Sequence, residues 1–161
     1  VLASYRMGDL LSLIVEADHP NEVLHSDFKS LVSIIDAEVE EWMVRLKTEI
    51  ERVPELELVI ARVKPRHAIK SLLINKLSHD QYPNQNVLLM QDLGSQRVLI
   101  SARRQDFKVA MNTLMEKAIV GLPTATGGGH IPAAAASIRK EDEEKFIQNV
   151  KRILSTELTP A

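Results

Sequence analysis

From residue 55 onward the chain switches its apolar period repeatedly, and this switching is what most constrains the fold. Leu56 to Val63 is an unbroken aliphatic and β-branched run, as a buried strand requires. Ile69, Leu72, Leu73 and Leu77 then recur at helical spacing behind Pro65, predicting a helix from about Pro65 to His79. The runs Val87–Gln91 and Arg97–Ala102 flank a turn at Leu93-Gly94-Ser95 and predict a hairpin. A helix is expected over about 106–120 with Asp106 at its start, then a loop over Gly121–Gly129. Ala133 to Ile138 reads as a short helical turn passing into a strand, and an amphipathic helix follows from Glu141 to about Leu154. The order β-α-β-β-α-(loop)-β-α predicts an α/β (α+β) fold, a mixed β-sheet flanked by helices.

The first third of the chain has another texture. Residues 5–17 carry a short helix-like apolar pattern that Asp18-His19-Pro20-Asn21 interrupts. Leu24, Phe28, Leu31, Ile35, Val39, Trp42, Leu46 and Ile50 then form one stripe, which predicts a helix over about 23–51. At 1.5 Å per residue it would extend roughly 40 Å. The expected organisation is a helical connector, 1–54, with one long helix, followed by an α/β domain, 55–161.

Composition narrows the chemistry. A chain of 161 residues needs no covalent staple. The absence of cysteine excludes thiolate metal sites and thiol nucleophiles, and fits a cytoplasmic setting. A net charge of −2 gives no global pull towards nucleic acid, so any polyanion contact must be local. No apolar run approaches the ~20 residues of a membrane span, and no membrane association is expected. The chain starts at Val1, which reads as a piece of a longer protein.

Two segments carry candidate chemistry. Gly127-Gly128-Gly129-His130 reads as an anion-binding turn: glycines bare their N–H groups, a helical turn starting near Pro132 would add its dipole, and His130 would add a side-chain donor. The bland alternative is a flexible loop with a surface histidine. Ser101-Ala102-Arg103-Arg104 sits at a strand exit, where guanidinium forks suit phosphate oxygens; a solvated arginine pair is its bland alternative. Lys64, Arg66 and Lys70 read as an ordinary solvated face, and Trp42 as a packing anchor rather than a stacking platform. His19, His25, His67 and His79 lack the spacing and carboxylate companions of a metal site. The acidic run Glu141 to Glu144 suits a helix start.

Taken together, Ser101-Ala102-Arg103, then a helix and loop, then Gly127-Gly128-Gly129-His130 and Ala133-Ala134, resemble the DHH-associated C-terminal domain of the DHH phosphoesterase superfamily, particularly archaeal RecJ-like nucleases. The resemblance spans roughly residues 56–156. It implies that Arg103, Gly128, Gly129 and His130 contact the phosphate or sugar of a nucleotide or nucleic-acid end. Ser101, Arg104 and Gly127 complete the expected substrate-binding set, which contains no catalytic residue and no metal ligand. The resemblance also makes the long helix a connector from an N-terminal catalytic domain. Ala135 stands where the family usually has glycine, and Ile131 where it commonly has proline.

The family's catalytic domain carries an Asp-His-His motif and further aspartates that hold two metal ions, generally manganese, with magnesium as the alternative; this sequence contains no Asp-His-His. The resemblance therefore implies a hydrolase parent whose present segment binds single-stranded nucleic acid or nucleotide without hydrolysing it. The implied partner is the N-terminal DHH domain of the same protein. A non-catalytic interaction module that homodimerises through the striped helix is the competing reading. A glycine-histidine domain like that of alanyl-tRNA synthetases ranks last.

Overall fold

The computed structural model describes residues 7–19, 21–22, 28–94 and 96–157. Pro20, Leu24, His25 and Ser95 of the sequence readings lie outside the described residues. The chain divides into two compact units, 1–40 and 41–161, whereas the sequence placed the change of texture at 54/55.

The first unit holds α1, Met7–Glu16, and the first half of α2, Phe28–Glu49. On α2, Val39, Trp42, Met43 and Leu46 of the stripe region are buried, and the Arg45 guanidinium stacks 4.3 Å from the Trp42 ring centre. Trp42 is thus a packing residue, as its place on the stripe implied.

The second unit is built on a six-stranded mixed sheet. Its strands are β1 Glu51–Val53, β2 Leu58–Val63, β3 Asn86–Asp92, β4 Arg97–Arg103, β5 Thr126–His130 and β6 Ala133–Arg139. Their order across the sheet is β1-β2-β3-β4-β6-β5. Only β2 and β3 run parallel, joined by the crossover helix α3, Lys70–Lys76; every other pairing is antiparallel. Helices α4, Met111–Ala118, and α5, Glu143–Glu157, complete the unit.

Period-two alternation decides the layers. Leu58, Ile60, Leu88, Met90, Val98, Ile100, Ala102, Ala134, Ala136 and Ile138 face one core with α4 and α5, closed by Met111, Leu114, Met115, Phe146 and Val150. The alternate residues Val59, Ala61, Val87 and Leu89 are buried too, and α3, which packs on β3 and β4, presents buried Ile69, Leu73 and Ile74. Burying strands on both sides explains why β2 and β3 read as continuous apolar runs rather than alternating ones.

Three boundaries differ from expectation for local reasons. The helix expected from Pro65 begins only at Lys70 and ends in a π-turn, Leu77–Gln81. The helix expected from Asp106 begins at Met111, because Asp106 is engaged elsewhere and Phe107 takes a positive φ of 59° that no helix admits. The glycine segment, expected as loop, and the alanine run, expected as a helical turn passing into a strand, are the two arms of a hairpin around Ile131-Pro132, paired from Thr126↔Ser137 to His130↔Ala133. No described helix is long and apolar enough to cross a membrane.

Candidate anion-binding face

The antiparallel registers bring both sequence motifs onto one patch of sheet. Arg103 pairs with Ala133, and Ala133 in turn with His130; Ser101 pairs with Ala135, and Ala135 with Gly128. Directly opposed residues of antiparallel strands share a face. Arg103, Ala133 and His130 therefore form one row, with Ser101, Ala135 and Gly128 in the row beside it, although Ser101, expected to contact substrate, is buried at 6% exposure. Strand spacing makes this strip about 10 Å wide. Its floor is shallow because two rungs on β6 are alanines: Ala135 is exposed and Ala133 half-buried.

The hairpin tip is tied to the strip's edge. The Arg104 N–H donates to the Pro132 carbonyl at 3.1 Å, and the Met111 N–H donates to the Ile131 carbonyl at 2.8 Å. One turn thus extends the β4–β6 ladder and satisfies a free N–H at the start of α4. Arg103, His130 and the α4 start are held together by backbone bonds rather than by loop chance.

The three glycines have different tasks. A Cβ on Gly129, which has φ of 147°, would lie 2.6 Å from both the Ala133 carbonyl oxygen and Ala134 Cα. A Cβ on Gly127 would meet Ile119 Cδ1 and the Met115 carbonyl oxygen at 3.3 Å. Close packing within the hairpin thus requires glycine at 129, whereas a Cβ on Gly127 would need Ile119 and Met115 to give by a few tenths of an ångström. Gly128 is different, since the nearest atom to a Cβ there is Glu116 Oε1 at 3.8 Å. It lies on an edge strand, where part of the backbone has no strand partner and stays open to a ligand. The segment bares its backbone as an edge strand, not as a turn at a helix start.

The two neighbouring arginines also diverge. Arg104 is 1% exposed and acts as an internal tie through Nε and Nη2, while its buried Nη1 has no hydrogen-bond partner. Its Nε donates to Asp106 Oδ1 at 2.6 Å and its Nη2 to Glu57 Oε2 at 2.7 Å, while Lys108 Nζ closes the network on Glu57 Oε1 at 3.0 Å. Burial alone would lower the Arg104 pKa, but the bonds to Asp106 and Glu57 outweigh it and raise it. The same bonds hold both carboxyls below their usual range. This geometry makes Arg104 a structural cation, not a ligand-facing one, because alternation turns it away from the face that Arg103 shares.

Arg103 is half-buried, and its Nη1 donates to its neighbour's carbonyl, that of Ala102, at 3.0 Å. Burial pushes its pKa down. Lys70, in the first turn of α3, is also half-buried; burial first, and then the nearby Arg103 charge, pushes its pKa down as well. Among the described residues neither cation has a carboxylate partner. Two desolvated like charges without a counterion make a place that favours an oxyanion. Lys70 was grouped in the sequence with Lys64 and Arg66 as a solvated face. Arg66 does pair at the surface, with Glu41 at 2.7 Å, but Lys70 does not belong with it. Nothing in the local sequence separated them, because the crossover that brings Lys70 to β4 is a tertiary feature.

Among the described residues no group of three or more His, Asp or Glu is placed to hold a metal ion. The patch can bind and orient an anion. It supplies no metal site and no nucleophile–base pair.

The second unit is a mixed-sheet α/β domain with a cationic face at the exit of one strand. Residues 59–156 match the DHHA1 domain, and the chain belongs to that family of DHH-associated domains. No curated protein sequence matches the chain significantly. Solved structures share the fold at low identity. RecJ from Thermus thermophilus, in complex with Mn2+, superposes with a TM-score of 0.66 at 15% identity, over 98% of this chain and 23% of its own. The pGpG-specific phosphodiesterase PggH from Vibrio cholerae gives 0.59 at 16% identity, over 96% of this chain and 51% of its own. An exopolyphosphatase-related protein from Bacteroides fragilis gives 0.54 at 14%, over 97% and 44%. The chain spans about half or less of each of these proteins.

Proposed function

We propose that this chain is the substrate-binding domain of a RecJ-like DHH phosphoesterase or single-strand-specific exonuclease. It holds the phosphate of a single-stranded nucleic acid or nucleotide for hydrolysis carried out by an N-terminal DHH domain of the same protein. The observation that carries this reading is the pair Arg103 and Lys70, half-buried and without carboxylate partners, beside the Ala133–Ala135 floor and His130. Family membership and the titles of the similar structures support it: one is a pGpG-specific phosphodiesterase, another a RecJ holding Mn2+. Manganese or magnesium would belong to the catalytic domain, since the described residues here do not fit a metal ion. The chain alone is then inactive, and its setting is cytoplasmic.

The test is binding of a fluorescent single-stranded oligonucleotide to the purified chain, followed by anisotropy. Arg103→Ala is expected to weaken binding about tenfold, the scale of one charge-assisted contact, and His130→Ala several-fold. Wild-type affinity should fall as salt rises. Unchanged affinity in Arg103→Ala would sink the proposal.

The competing reading is an interaction module that self-associates through α2 without binding nucleotide. Molar mass that rises with concentration, without any oligonucleotide binding, would support it instead.

A further inference from the structure

The open face does not end at Arg103. Because β4 pairs with β6 without a bulge from Arg97↔Arg139 to Arg103↔Ala133, Arg97 lies on the same face as Ser101 and Arg103, six residues along the strand. At about 3.3 Å per residue the two arginines sit roughly 20 Å apart. Between them β4 contributes half-buried Leu99 and buried Ser101, the β6 floor is Ala133, Ala135 and Ser137, and the β5 floor is Gly128 and Thr126.

Arg97 is propped rather than neutralised. Its Nε and Nη2 both donate to Ser137 Oγ, at 3.1 and 2.8 Å, and Nη2 also reaches the Thr124 carbonyl at 3.3 Å. Thr124 takes a positive φ of 55° at that turn. Among the described residues, every hydrogen bond that Arg97 makes goes to a neutral oxygen. Its cross-strand neighbour Arg139 shows the contrast, being paired with Glu141 at 2.6 Å and Asp142 at 2.9 Å. The fold neutralises one of two adjacent cations and leaves the other half-buried, fixed and charged.

We propose that Arg97 is a second phosphate-contacting residue at the far end of this face, so that the ligand is a single strand of several nucleotides lying along β4 and β6. A mononucleotide held at Arg103 cannot reach Arg97, whereas an extended strand can. The roughly 10 Å width of the strip suits one strand and not a duplex. Sequence tolerance is expected, because the small floor offers contacts to a backbone and no base-reading side chains.

This inference rests on the reading of the Arg103 face, and the experiment separates the two. Binding of a dinucleotide and of an octanucleotide to the full chain is measured for wild type, Arg97→Gln and Arg103→Ala. Arg97→Gln should leave dinucleotide affinity within about twofold, lower octanucleotide affinity about five- to tenfold, and flatten the octanucleotide salt slope by ~0.7, one lost phosphate contact. Equal loss for both lengths, or no loss for either, overturns the second contact while an Arg103→Ala effect leaves the first reading standing. If Arg103→Ala also changes nothing, the reading of the whole face fails. Should Arg97→Gln not fold, wild-type NMR decides: the Arg97 Nε–H resonance must shift on adding octanucleotide and stay put with dinucleotide, and an unmoved resonance refutes the contact.

Discussion

The two faces of strands β4 and β6 are made from alternate residues of the same fourteen positions, yet they follow opposite rules. The inner face is Val98, Ile100, Ala102, Ala134, Ala136 and Ile138, sealed under α4 and α5. The outer face carries Arg97, Leu99, Ser101, Arg103, Ala133, Ala135, Ser137 and Arg139, and α3 packs on it from the β3–β4 side. Inside, charge appears only where partners engage it, as in Arg104 with Glu57 and Asp106. Outside, Arg139 is paired with Glu141 and Asp142, whereas Arg103 and Arg97 have no carboxylate partner among the described residues. A cation's role in this domain is therefore set by the face its side chain reaches together with the carboxylates near it, and a single step along the chain, from Arg103 to Arg104, changes both.

The sharpest way to break this contrast is to remove the inner cation. Arg104→Met should destabilise the chain by about 3 kcal/mol, since it leaves Glu57 and Asp106 without their shared partner, and thermal melting would show it. If Arg104→Met melts like wild type but loses oligonucleotide binding, the assignment of the two arginines must be exchanged. Next in size is Gly129→Ala, expected to cost about 2–3 kcal/mol because a Cβ would overlap Ala133 and Ala134 at a positive φ. Gly128→Ala, at a φ of 158° but with no atom within 3.4 Å of the added Cβ, should cost less than Gly129→Ala; equal losses at the two positions would remove the distinction drawn between them.

The smallest effect is on pH. Glu57 and Asp106 have folded pKa values below their unfolded ones, chiefly through hydrogen bonds to Arg104. Their contribution is complete above the unfolded carboxylate range and is lost as pH falls through the folded values. Denaturant midpoints should therefore drop below about pH 4, and the drop should be shallower in Arg104→Met. An identical acid profile in both proteins would show that the network adds nothing.

Much of this architecture is local physics and could be read from the chain. Alternating and continuous apolar runs marked β2, β3, β4 and β6, and the stripe through Val39, Trp42 and Leu46 marked α2, because periodicity follows directly from backbone geometry. The motifs at Ser101–Arg103 and Gly127–His130 were legible for the same reason: residue type and order survive without a structure. Pairing partners were not. Glycine carries no strand signal, so β5 became visible only once β6 supplied the other side of its ladder. Lys70 and Lys64 look alike in sequence, and only the crossover of α3 onto β4 sets Lys70 beside Arg103. Arg103 and Arg104 form an indistinguishable dipeptide until the pleat and a glutamate 47 residues away divide them. The sequence by itself determined most of the strand and helix segments and the cations that stand near the two motifs. The tertiary structure decided which of those cations are already paired, because pairing depends on long-range proximity that no local pattern encodes.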